Sequence, residues 1–415
     1  MRPLRLLLTA DTIGGVWTYA VELIEALAPW GCEVLLATLG GALSPSQSRA
    51  VARIPRLTVC ESNYKLEWME EPWADVDASG AWLMELAAAF RPHLVHLNTF
   101  AHGALPWNVP VLMVGHSCVL SWWQAVKGES ASQYWTTYQQ RVQAGLQSAD
   151  LVVAPTYAML GALEAHYGPL RATQVIYNAR RSASFTHGNK EPFIFAMGRL
   201  WDEAKNISIL GQVAPKLPWP IYIAGEQRHP NGGQLDVAHL HALGHLNQTS
   251  IRDWLARASI YAFPARYEPF GLAVLEAALS GCALVLGDIA SLREVWGATS
   301  LYVPPNDVDA LANVLSDLID QPRQRDALGL AARARAVRYA PATMGEAYWQ
   351  AYTQLLELLE LADAKSELHT KPVARPVLPS IAARREEQKP ISTSGLGFLR
   401  KEPRDEQQPY DRRSH

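Results

Sequence analysis

Short apolar runs alternate with segments of helical period along most of this chain. The runs fall at Leu4 to Ala10, Glu33 to Thr38, Leu94 to Leu97, Val111 to Gly115, Leu151 to Ala154 and Gln174 to Tyr177. A second series follows at Phe193 to Met197, Ile221 to Ala224, Ile260 to Phe263, Ala283 to Gly287 and Leu301 to Val303. Strands that are apolar throughout and separated by helices are buried on both faces, which predicts parallel sheets covered by helices. Between the two series, Asn178 to Pro192 is polar and without period, and this places a domain boundary there. The pattern therefore predicts an α/β chain of two doubly wound domains, over 1–180 and 191–342. Such domains, facing each other, leave a cleft at the carboxyl ends of their strands, where ligands of such sheets bind.

After Pro341, Tyr348, Trp349, Tyr352, Leu355, Leu356 and Leu359 recur at helical spacing, so a helix over 343–363 is expected to dock on the body of the protein. From 364 to 415 the composition turns to Pro, Arg, Lys, Glu, Gln and Ser, which predicts a disordered tail. That tail is read as a tether or a segment binding an unknown protein, with an inert solvated extension as the alternative. Leu396-Gly397-Phe398-Leu399 is its one short apolar patch.

The 415 residues exceed one ordinary core, in keeping with two domains. With 49% apolar residues, 19% charged and a formal net charge of -3, no global field favours nucleic acid, and any phosphate site must be local. Cys32, Cys60, Cys118 and Cys282 lack paired spacing, which fits a reducing compartment and a cytoplasmic protein. The apolar run after Met1 is too brief for a signal segment, and no run is long enough to span a bilayer.

Candidate chemistry sits where predicted strands give way to helices. In Arg266 to Glu276, a strand stopped by Pro264 leads through a loop to a helix, with Glu268 in the loop, Phe270 before it and Gly271-Leu272 at the helix start. The orphan amides of Gly271 and Leu272 attract a phosphate, and Glu276, one turn further in, suits the hydroxyls of a ribose. By spacing alone, the two glutamates equally fit a helix start with a dipole-favouring acid and an exposed helical one. Gly14-Gly15, between the first strand and its helix, permits close backbone approach to phosphate or sugar, or is a plain strand-to-helix turn. Arg199 and Lys205, after the strand Phe193 to Met197, suit a diphosphate clamp, the guanidinium as a fork and the ammonium as a point charge. Two solvated surface cations are the alternative.

Taken together and in order, Gly14-Gly15, Gly198-Arg199-Leu200 with Lys205, Gly225-Glu226, and Glu268 with Glu276 around Phe270-Gly271-Leu272 resemble the retaining glycosyltransferases of two-Rossmann-domain (GT-B) architecture. Within them the chain looks most like family 4, often called group 1, over about residues 5 to 360. The resemblance implies a hexosyltransferase-like enzyme that moves a sugar from a nucleoside-diphosphate-sugar to a glycan, lipid-linked or small-molecule acceptor. It implies that Arg199 and Lys205 hold the donor diphosphate and neutralise its leaving charge, and that Glu276 holds the ribose. Glu268 and the backbone from Phe270 to Leu272 would hold the sugar and its phosphates, beside Gly14 and Gly15. His116, in Val114-Gly115-His116-Ser117, matches a histidine that relatives place near the reacting sugar. Retention is explained in the family by a front-side displacement in which the leaving phosphate helps deprotonate the acceptor, and no protein nucleophile is assigned.

Three departures stand out: Ala265 where relatives often have Ser, Ala283-Leu284-Val285 for Pro-Val-Val, and Ala290-Ser291 for a Gly-Gly pair that touches sugar recognition. No cofactor and no metal are expected. Of two Asp-x-Asp triplets, Asp307-Val308-Asp309 reads as a helix start and Asp75-Val76-Asp77 as a polar loop after Trp73. Trp122, Trp123, Tyr134, Trp135 and Tyr138 follow His116 and suit either acceptor stacking or a packed core. Arg141, Arg171, Arg180 and Arg181 are too dispersed to assign a membrane surface, so contact with the inner face of the membrane stays an alternative. Two rivals share the pattern: a nucleotide-sugar epimerase of the same fold, and a non-catalytic nucleotide-sugar sensor or scaffold.

Overall fold

A computed structural model describes residues 3–227 and 238–368. The first half carries β1 (Arg5–Asp11), α1 (Gly15–Ala26), β2 (Glu33–Leu39), α2 (Pro45–Val51), β3 (Leu57–Cys60), α3 (Trp73–Phe90) and β4 (Leu94–Leu97). It continues with β5 (Val111–Val114), α4 (Val119–Lys127), α5 (Thr136–Ser148), β6 (Leu151–Ala154), α6 (Tyr157–Tyr167) and β7 (Thr173–Val175). The second half runs through β8 (Glu191–Met197), α7 (Ser208–Val213), β9 (Ile221–Ala224), β10 (His241–Ala242), α8 (Gln248–Arg257), β11 (Ala258–Phe263) and α9 (Leu272–Leu279). It ends with β12 (Ala283–Gly287), α10 (Ala290–Trp296), β13 (Leu301–Val303), α11 (Val308–Asp320), α12 (Pro322–Ala336) and α13 (Pro341–Leu368).

Every pairing in both sheets is parallel. The first sheet has the order β3-β2-β1-β4-β5-β6-β7 and the second β10-β9-β8-β11-β12-β13. Each order reverses beside its first strand, at β1/β4 and at β8/β11, which makes both doubly wound Rossmann-like sheets with switch points at the carboxyl ends of β1 and β8. The loops Asp11 to Gly15 and Gly198 to Lys205 leave from those two ends. Strands such as β4, β5, β6 and β11 are buried along their whole length, because helices cover both faces.

Two strands were not predicted. β3 is an edge strand with no fully buried residue, and β10 is two exposed residues, so neither has an apolar run to betray it. The loop expected at Asp75-Val76-Asp77 is instead the start of α3: Val76 donates its amide to the Pro72 carbonyl, Asp75 accepts from the Lys65 amide at 3.3 Å, and Asp77 pairs with Arg141. Asp307 does cap a helix, its carboxylate accepting from the Ala310 amide at 2.8 Å, while Asp309 pairs with Lys216. Helix α13 follows α12 and packs on α1, burying Tyr348 and Tyr352 in the first domain's core. The tail expected from residue 364 lies, from 369 onward, outside the described residues. Among the described residues no helix is long and apolar enough to cross a membrane.

Candidate active site

On the first sheet, β1 ends at Asp11 and β5 leads to His116. Asn98, just after β4, donates its side-chain amide to the Thr9 carbonyl at 2.5 Å, which turns its Oδ1 to His116 Nε2 at 2.7 Å. His116 Nε2 is therefore the protonated nitrogen, and Nδ1 carries the lone pair. Desolvation lowers the His116 pKa to about 3, so the ring stays neutral, packed edge-on against Tyr19 at 4.5 Å. Asp11 accepts from the Ile13 amide at 3.2 Å. Burial pushes its carboxyl up to about 7, against the opposing pull of Arg199 from the other domain.

On the second sheet, β8 delivers Arg199, and a short turn over Glu203–Lys205 delivers Lys205. Lys205 Nζ lies 2.8 Å from Glu268 Oε2, and both side chains are largely buried. Arg199 lies 3.1 Å from Asp202. Burial works against the charge on Asp202, yet Lys205 and Arg199 together hold its carboxyl below the usual range, so both cations converge on this loop. Glu268 is held from behind by Ser291, whose hydroxyl donates to its carbonyl at 2.5 Å.

Helix α9 starts where the sequence places it. Gly271 caps it at φ 90° and Gly14 caps α1 at φ 88°, backbone that only glycine adopts freely and that turns the next amides outward. The two helix starts meet: a Cβ on Gly15 would lie 3.6 Å from the Leu272 side chain. Phe270 is buried beneath the turn. Glu276 is one turn into α9 and buried, with Oε1 2.7 Å from Arg180 Nε, while Arg180 Nη1 lies 2.7 Å from Glu22. Burial raises the carboxyls of Glu22 and Glu276, and Arg180 opposes this in both. Sequence alone groups Arg180 with Arg141, Arg171 and Arg181 as cations too dispersed to assign. Its position between two helices buries it instead.

Further contacts close the domains around the site. Tyr267 bonds Ser121 Oγ at 2.8 Å and accepts from the Cys118 amide, Trp122 Nε1 donates to Asp202 at 3.1 Å, and Thr156 Oγ1 donates to the Pro269 carbonyl. Of the aromatic cluster after His116, Trp122 thus bridges the domains and Tyr138 is core, while Tyr134 is 59% exposed. Asp11 and Asn98 were not singled out from sequence. Each becomes visible only once the parallel order sets the ends of β1, β4 and β5 side by side.

Two family models match this chain, "Glycosyltransferase Family 4" over residues 13–180 and "Glycosyl transferases group 1" over residues 191–321. The chain belongs to the family 4, group 1 glycosyltransferases. One match lies in each domain. A glycogen synthase of Mycobacterium tuberculosis is 28% identical over 276 residues, 60% of this chain. The match spans 65% of that relative's length. An O-antigen chain mannosyltransferase B of Escherichia coli is 39% identical over 79 residues, 19% of this chain and 21% of its own. Among solved structures, the sucrose-phosphate synthase of Thermosynechococcus elongatus superposes with a TM-score of 0.71 at 19% identity, covering 85% of this chain and 99% of that one. HepE of Anabaena, solved with UDP and glucose, gives 0.68 at 18%, covering 85% and 100%. At these identities the superpositions establish the two-domain GT-B fold.

Proposed function

We propose that this protein transfers a sugar from a nucleoside-diphosphate-sugar to an acceptor hydroxyl, with retention at the anomeric carbon. The carrying observation is that Lys205 and Glu268 pair beside the start of α9, which faces Gly15, while Arg199 on the same loop as Lys205 acts on Asp11 across the domains. That HepE is solved with UDP and with UDP-glucose supports such a donor.

In this reading the diphosphate lies on the amides of α9 and between Arg199 and Lys205. These cations leave Asp202 and Glu268 for the phosphates and neutralise the charge that grows as the sugar–phosphate bond breaks. Glu268, freed from Lys205, accepts hydroxyls of the sugar, and Glu276 accepts those of the ribose. The lone pair on His116 Nδ1 accepts a further sugar hydroxyl, a role that suits a ring kept neutral. The leaving phosphate takes the acceptor proton, so no protein nucleophile is required, and with two side-chain cations on the diphosphate no divalent metal is proposed. The acceptor lies on the first-domain side, near Asp11 and His116.

Glu276→Ala tests this directly. Arg180 keeps Glu22 as its partner, so the variant is expected to fold, while donor KM rises sharply or turnover disappears. Wild-type turnover of nucleotide-sugar by the purified variant would show that the site is misassigned. Incubating donor alone and finding an isomer would point to an epimerase instead.

A further inference from the structure

Arg180 sits in the segment between β7 and β8, where the chain crosses from the first domain to the second. Its side chain is 7% exposed. The guanidinium holds Glu22 of α1 and Glu276 of α9, each at 2.7 Å, and lies over the Phe185 ring; its backbone amide donates to the Tyr339 carbonyl at 3.1 Å. Helices α1 and α9 are the two whose first turns face each other at Gly15 and Leu272. One buried cation in the crossover segment thus grips a carboxylate from each helix that opens on the site. A side chain placed only to fill space would not need two carboxylates from two domains, and burying three charges is costly unless their geometry is useful.

We propose that Arg180 is a positioning residue for donor binding: it fixes Glu276 by Oε1 so that the other carboxylate oxygen meets the ribose, and through Glu22 it locks that orientation to the first domain. This rests on the donor site proposed above. The breadth of the guanidinium matters to it, because Nη1 donates to Glu22 while the Nε edge forms an ion pair with Glu276, and an ammonium offers a single centre.

The test compares the full-length wild type with Arg180→Lys, Arg180→Gln, Arg180→Gln/Glu22→Gln and Glu276→Ala. Thermal midpoints are measured beside titrations with UDP, GDP and ADP. Arg180→Lys and Arg180→Gln should weaken binding of whichever nucleotide the wild type takes by about tenfold or more, as Glu276 loses the cation that orients it. The double variant removes the carboxylate that Arg180→Gln strands in the first domain, so its midpoint should recover while its affinity stays low. Recovery of affinity together with stability would reduce Arg180 to a structural role and overturn the proposal. If Arg180→Gln fails to fold, Arg180→Lys decides, and affinity within about twofold of wild type refutes the inference. Loss of binding in Glu276→Ala with normal binding in Arg180→Lys would sink this inference alone. A wild type that takes none of the three nucleotides would sink the donor site, and this inference with it.

Discussion

Asp11 takes its character from two domains at once. Burial pushes its carboxyl up to about 7, while Arg199 and the Ile13 amide pull the other way. A carboxyl whose folded pKa lies above its unfolded value holds a proton in the native state that the unfolded chain releases, so its contribution to stability falls as pH rises from about 4 to about 7. Asp11→Asn removes that penalty. Its melting temperature relative to wild type should climb between pH 5 and pH 8, and a constant difference across that range would contradict the burial argument. Sequence placed Asp11 beside Gly14-Gly15 but carried no sign that Arg199 faces it. The same holds for Arg180, whose burial depends on Glu22 and Glu276, far away in the chain on either side. By contrast the places of Arg199, Lys205, Glu268 and Gly271 in the fold are legible in the sequence, because each lies within a few residues of a strand end or helix start and local pattern fixes those.

Helix α6 shows the same dependence at the level of an element. Thr156 caps it in the ordinary way, accepting from the Met159 amide at 3.0 Å. The amides of Tyr157 and Ala158 go to Glu294 of α10, at 2.8 and 2.9 Å, and that carboxylate also accepts from Tyr177. A carboxylate from the second domain thus completes the first turn of a first-domain helix, where the dipole favours negative charge. Glu294→Ala should lower the unfolding free energy by about 1–2 kcal/mol, as for loss of a helix cap. Urea titration checks this, and a change within about 0.5 kcal/mol, as for an ordinary surface substitution, would show the contact to be idle. Elements themselves were readable where burial is two-sided, as in β4 to β6 and β11. They were not where it is partial: β3 lies on an edge, and α3 follows Pro72 without a side-chain cap, so Asp75 and Asp77 looked like loop residues.

For the whole molecule, the two sheets meet through their carboxyl ends and are tied again from behind. Helix α13 leaves the second domain to pack on α1, with Trp30 stacked on Trp349 at 5.5 Å and Tyr352 bonded to His96 at 2.7 Å. Helix α1 is therefore held at Glu22 by the crossover segment and along its flank by α13, and its first turn is fixed against α9. This framework holds Gly15 against Leu272 and Asp11 within reach of the Arg199 charge. The central claim, that this junction binds a nucleoside diphosphate, is tested by thermal unfolding of wild type and Lys205→Ala with UDP, GDP, ADP and their hexose conjugates. At a hundredfold excess over Kd a ligand stabilises the native state by about 2.7 kcal/mol. Such a saturable shift is expected for one base in the wild type, and its loss in Lys205→Ala. An equal shift in both proteins, or none with any nucleotide, would contradict it.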